Sequence, residues 1–82
     1  MSKHVILGTD WCPFCIRVYD YLNKNKIPYE NVDTDQLDGA KKRAELSKKY
    51  NYHTVPMVFI NGEFIGGCNE FFAALSQKKL NL

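Results

Sequence analysis

The sequence predicts an α/β fold: a four-stranded mixed sheet flanked by three helices. Three observations point to it. Short β-branched apolar runs alternate with amphipathic stretches in the order strand-helix-strand-helix-strand-strand-helix. Asn61-Gly62, the preferred two-residue hairpin turn, sits between the last two strand patterns. A helical crossover between the first two strands implies that they pair in parallel. The closing hairpin is then expected to add two strands antiparallel to that pair, with helices covering both faces.

His4-Val5-Ile6-Leu7 reads as a buried strand ended by Gly8. The first helix opens at Pro13, where a missing N–H costs nothing, with Cys12 at the N-cap, and runs to about Asn25. Cys15, Val18, Tyr19 and Leu22 form its apolar stripe. Pro28 stops it, and Tyr29 to Val32 is a second strand. Asp38 to about Tyr50 is the second helix, with acid near its start and Lys48-Lys49 near its end, as the helix dipole favours. Its expected apolar stripe is Ala40, Ala44, Leu46 and Tyr50. Val55 to Ile60 is the strongest strand, and Glu63-Phe64-Ile65 returns antiparallel to it before Gly66-Gly67 breaks the pattern. Asn69 to about Lys79 forms the last helix, offering Phe71, Phe72 and Leu75 to the core.

Eighty-two residues suit one domain, expected to span 1–82. The composition, 45% hydrophobic and 24% charged, is that of a packed globule and excludes disordered and collagen-like classes. No secretory signal pattern is visible at the start, and the longest apolar run, Val55 to Ile60, falls far short of a membrane span. The expectation is a cytoplasmic protein, where disulfides tend to be transient and catalytic. The net charge is +2, and Lys41-Lys42-Arg43 with Lys48-Lys49 read as a solvated helix face rather than a nucleic-acid surface. A modest basic bias also suits a small anionic ligand.

The three cysteines carry the chemistry. Cys12 and Cys15 stand at i and i+3, on one face of a helix start. Cys12 lies at the positive end of that helix, where unbonded N–H groups stabilise a thiolate, the nucleophile of disulfide exchange. Cys15 lies one turn inside, shielded and placed to attack a mixed disulfide on Cys12. The spacing makes Cys12 the nucleophile and Cys15 the resolving thiol. A structural zinc site needs four ligands; Cys68 is alone, and His4 and His53 are not at ligand spacing, so no metal is expected. A purely structural Cys12–Cys15 bridge would constrain little chain entropy. Cys68, if exposed, is open to mixed-disulfide formation or to cross-linking two chains under oxidation.

Two further motifs have both plain and functional readings. Pro56 either marks a strand start or follows a cis Val55–Pro56 bond that turns the Thr54-Val55 backbone outward to pair with an extended peptide. Gly66-Gly67-Cys68-Asn69-Glu70 is either a turn with a helix cap, or a close-approach backbone before a helix N-terminus that holds a carboxylate.

Taken together, Cys12-Pro13-Phe14-Cys15, Thr54-Val55-Pro56 and Gly66-Gly67-Cys68, in this order and nearly end to end, resemble a glutaredoxin. The resemblance implies the thioredoxin fold, a cis-proline at Pro56, and glutathione as reductant or co-substrate with no permanently bound cofactor. It implies that Val55 pairs with the cysteinyl part of glutathione, with Phe14, Thr54, Pro56 and Gly67 around it. Cys68 and Asn69 would hold the γ-glutamyl carboxylate, through backbone more than through the Cys68 thiol, and Arg43 would meet the glycine carboxylate. The implied partners are disulfide-bearing or glutathionylated proteins, ribonucleotide reductase being a family-level candidate, and the chain is expected to act as a monomer without nucleic acid or membrane.

The sequence also departs from the family pattern. Thr9 stands where a lysine is usual, so one cation near the nucleophile is missing. Phe14 replaces a tyrosine, and Asn69 an acid. Trp11 before Cys12 is similar to thioredoxins, whose motif is Trp-Cys-Gly-Pro-Cys. It leaves open a thioredoxin-like donor reduced by a flavoprotein reductase. A 2Fe–2S carrier is a further alternative, against which Pro13 argues.

Overall fold

The computed structural model describes residues 4–80. Four strands, β1 (Val5–Gly8), β2 (Glu30–Asp33), β3 (Met57–Ile60) and β4 (Glu63–Gly66), alternate with helices α1 (Pro13–Lys24), α2 (Leu37–Tyr50) and α3 (Cys68–Ser76) in the expected order. The strands form one sheet in the order β2-β1-β3-β4. β1 pairs with β2 in parallel, Val5 opposite Glu30 and Gly8 opposite Asp33, as a helical crossover requires. β3 runs antiparallel to β1, with Ile6 opposite Val58. β4 is antiparallel to β3 and so runs in the direction of β1. Thus one strand of the hairpin, not both, opposes the first pair, because the tight turn reverses the chain a second time. Asn61 and Gly62 make that turn with φ of 54° and 83°, the left-handed pair that a type I′ hairpin demands.

Strand alternation divides the core between the two faces of the sheet. Ile6, Val58 and Ile60 pack against Val18 and Leu22 of α1 and Phe71 of α3. Leu7, Met57 and Phe59 face the other way, with Leu46 of α2, Val5, Val32, Tyr52 and Phe64 around them. Helices therefore cover both faces, as in the thioredoxin fold. No helix among the described residues is long and apolar enough to cross a membrane.

The buried face of α2 is not the one its sequence suggests. Ala40 and Ala44 are exposed, Leu46 is half-buried, and the buried positions are Gly39 and Ser47. The reason is proximity: a Cβ on Gly39 would lie 1.9 Å from the Asp33 carbonyl oxygen, so the helix approaches the end of β2 backbone to backbone. Ser47 follows two turns later on the same side, its hydroxyl 4.0 Å from the Met57 sulfur. Lys41, Lys42, Lys48 and Lys49 are exposed, while Arg43 is drawn inward.

Gly39→Ala tests this contact. Alanine adds about 1 kcal/mol of helix propensity, but an overpacked contact against backbone costs about 3 kcal/mol. The variant is expected to be about 2 kcal/mol less stable by denaturant unfolding, whereas Ala40→Gly loses no more than helix propensity.

Candidate active site

α1 starts on Pro13 with Cys12 as its N-cap, in extended backbone geometry. Cys12 is half-buried, Cys15 fully buried, and both are free thiols. Burial opposes ionisation of Cys12, but the N–H groups of Cys15 and Phe14 and the Cys15 thiol face its sulfur and together outweigh it. The Cys12 thiol is thereby held below its ordinary value, as a cysteine at a helix N-terminus should be. Burial pushes the Cys15 thiol up to about 11, the Thr9 N–H countering it and the neighbouring Cys12 adding to it. The inner sulfur lies against Gly8, where a Cβ would come within 2.7 Å of Cys15 Sγ.

Beside this pair lies a cleft of about 470 Å³. Phe14 of α1, Arg43 of α2, the segment from Tyr52 to Pro56 before β3, and Cys68, Asn69 and Glu70 at the start of α3 line it. Thr54 and Val55 belong to no strand, and the Val55–Pro56 bond is cis. The Arg43 guanidinium donates to the His53 carbonyl at 2.8 Å, while its Nε is buried without a partner. Across the cleft, the Tyr52 hydroxyl donates to Glu70 Oε1 at 2.9 Å, and the Gly67 N–H donates to the same oxygen at 3.3 Å. Despite the opposing effect of burial, these donors hold the Glu70 carboxyl below its usual range. Its charge is thus engaged by the helix start and Tyr52. Gly67 has no room for a side chain, since a Cβ would sit 2.2 Å from the Tyr52 hydroxyl.

Phe14, Arg43, Thr54, Val55, Pro56, Cys68 and Asn69 therefore meet in one cleft, while Gly67 backs it as the N-cap of α3. Two lining residues, Tyr52 and His53, had no binding role in the sequence reading, and a third, Glu70, entered only as the end of the helix-start motif at 66–70. Glu70 was legible as a Glu at the third position of the last helix, an N-terminal capping signal. Tyr52 and His53 lie in a segment without periodicity and gave none. Cys68 is 4% exposed, so the surface thiol considered from sequence is not present. It begins α3 with its side chain packed into the α1–α3 core. Trp11 is 68% exposed, and its indole N–H donates to Asp35 at 2.8 Å, tying the loop before Cys12 to the one after β2.

A family model described as glutaredoxin matches residues 4–65. The chain belongs to the glutaredoxin family. It is 34% identical to a glutaredoxin of Pseudomonas aeruginosa over 81 residues, covering 99% of this chain and 94% of the relative. It is 34% identical to glutaredoxin-C6 of Oryza sativa over 77 residues, covering 93% and 69%. Among solved structures, a wheat glutaredoxin superposes with a TM-score of 0.87 at 31% identity, covering 96% of this chain and 74% of that one. A buckwheat glutaredoxin–glutathione complex gives 0.87 at 30% identity, covering 95% and 72%. This glutaredoxin is accordingly an oxidoreductase of the glutathione-dependent thiol class.

The opposed shifts of the two thiols predict a pH-resolved alkylation pattern. Cys12 should react with iodoacetamide with a midpoint below that of a free thiol, and Cys15 only in strongly alkaline solution. In Cys12→Ser the Cys15 midpoint should fall somewhat, because a neighbouring charge is lost, yet stay above an ordinary thiol, because burial is the larger cause. Mass-spectrometric labelling across pH reads both.

Proposed function

We propose that this glutaredoxin reduces protein disulfides and protein–glutathione mixed disulfides through the Cys12-Pro13-Phe14-Cys15 dithiol, with glutathione bound in the adjoining cleft. The observation that carries the reading is the asymmetry of the two sulfurs: one reaches the surface at a helix N-terminus and ionises readily, while its neighbour is buried and ionises late. Only the outer sulfur can begin exchange on a bulky disulfide. Cys12 thiolate attacks the substrate disulfide, forming a mixed disulfide and releasing one thiol. Cys15 then attacks Cys12 to release a protein substrate, or a second glutathione does so when the bound group is itself glutathionyl.

The cleft suits an anionic tripeptide. The Thr54-Val55 backbone, outside any ladder, offers peptide-like pairing. The start of α3 at Cys68 and Asn69 offers N–H groups to one carboxylate, and Arg43 offers a charge to the other. Phe14, about half exposed, supplies an apolar wall. Binding of glutathione by the buckwheat relative supports this placement.

Cys12→Ser should abolish glutathione-dependent reduction of a mixed-disulfide substrate, whereas Cys15→Ser should retain much of it and lose reduction of protein disulfides. Full activity in Cys12→Ser would overturn the reading. Arg43→Ala should raise the KM for glutathione roughly tenfold, the size of one partly screened charge-assisted contact, with a smaller effect on kcat. An unaltered KM would remove Arg43 from the ligand.

A further inference from the structure

Thr9 follows β1 directly and is 5% exposed. Its hydroxyl oxygen is buried and has no hydrogen-bond partner at ordinary distance. Leaving such a group unpaired costs about 1–3 kcal/mol, so the neighbour it faces is informative. That neighbour is the sulfur of Cys15, which both the N–H and the side chain of Thr9 approach. A neutral thiol is a weak acceptor, and a thiolate is a strong one. The other hydroxyl near this sulfur, Tyr19, has its proton committed to Asn31 Oδ1 at 2.7 Å. Cys12 is the titratable group that acts on Cys15, which in turn acts on Tyr19, and neither neighbour is a cation.

We infer that the Thr9 hydroxyl is the donor held for the Cys15 thiolate, stabilising that anion as it attacks the mixed disulfide on Cys12. The inference rests on the reading in which Cys15 resolves. In the step, Cys15 loses its proton to solvent and accepts the Thr9 O–H hydrogen bond while Thr9 keeps its proton. The Cys15 sulfur attacks the Cys12 sulfur, a Cys12–Cys15 bond forms, and the bond from Cys12 to the substrate sulfur breaks. The departing thiolate takes a proton from solvent, so one disulfide replaces another and no outside oxidant enters. Thr9 thus takes the position where the family carries a lysine, but serves the inner sulfur.

The test isolates ring closure. The protein is converted to its Cys12–glutathione mixed disulfide, freed of excess glutathione, and the release of glutathione is followed across pH. Thr9→Val, which keeps shape and loses the hydroxyl, should close about tenfold more slowly, with its pH profile displaced upward by about one unit. Thr9→Ser should stay within about twofold of the wild type. Thr9→Ala gives the same readout should the valine variant not fold. Closure by the variants lacking the hydroxyl at the wild-type rate, or Thr9→Ser as slow as they are, would overturn the inference. So would an equal slowing by Thr9→Val of the reaction with added glutathione in a Cys15→Ser background, where the hydroxyl has no thiolate to serve. Release of glutathione at the wild-type rate from Cys15→Ser itself would instead overturn the role given to Cys15.

Discussion

The contact of Cys15 with Gly8 governs the geometry of the site. Only a residue without a Cβ lets α1 come this close to β1: a side chain there would meet both Cys15 Sγ and the Tyr19 hydroxyl at 2.7 Å. With the inner sulfur pressed against the strand, the outer one, three residues earlier, is left at the helix rim. The helix start then meets Cys12 with two N–H groups, while the strand encloses Cys15. One close approach between a helix and a strand thus separates two chemically identical thiols into an early and a late ionising group. That order is what directed disulfide exchange needs.

The cleft is assembled differently from the core. Apolar packing on the two faces fixes α1, α2 and α3 against the sheet, but the cleft walls are joined by polar contacts. Arg43 reaches from α2 to the His53 carbonyl, and Tyr52 reaches to Glu70, which in turn receives the Gly67 N–H. These bonds fix the segment before β3 relative to both α2 and the start of α3. They depend on the backbone-level seating of α2 at Gly39, which turns the Arg43 side of the helix inward.

Both sulfurs are faced by donors that gain most when the sulfur is charged. Cys12 makes no ordinary cap bond as a thiol, yet N–H groups point at it. Thr9 has an unpaired hydroxyl beside Cys15. Dipoles set in place before charge develops need no reorganisation when it does. In a chain this small, such an arrangement demands nothing beyond the ends of β1 and α1.

The sequence by itself determined the order of elements, the parallel first pair, the Asn61-Gly62 turn and the placing of Cys12 at the helix start with Cys15 one turn inside. These follow from local rules: strand and helix periods, φ at a two-residue turn, and the field at a helix start. It also brought Phe14, Arg43, Thr54, Val55, Pro56, Cys68 and Asn69 forward through family resemblance. Only the tertiary structure decided which face of α2 is buried, because backbone contact at Gly39 outweighed a weak alanine stripe. Only it disclosed Tyr52 and His53, whose roles depend on residues 18 and 10 positions away. Thr9 shows the difference most clearly. In the sequence it is a missing cation beside the nucleophile. In the fold it is a buried hydroxyl against the other thiol, because the last turn of chain after β1 points its side chain inward, and no local pattern encodes that direction.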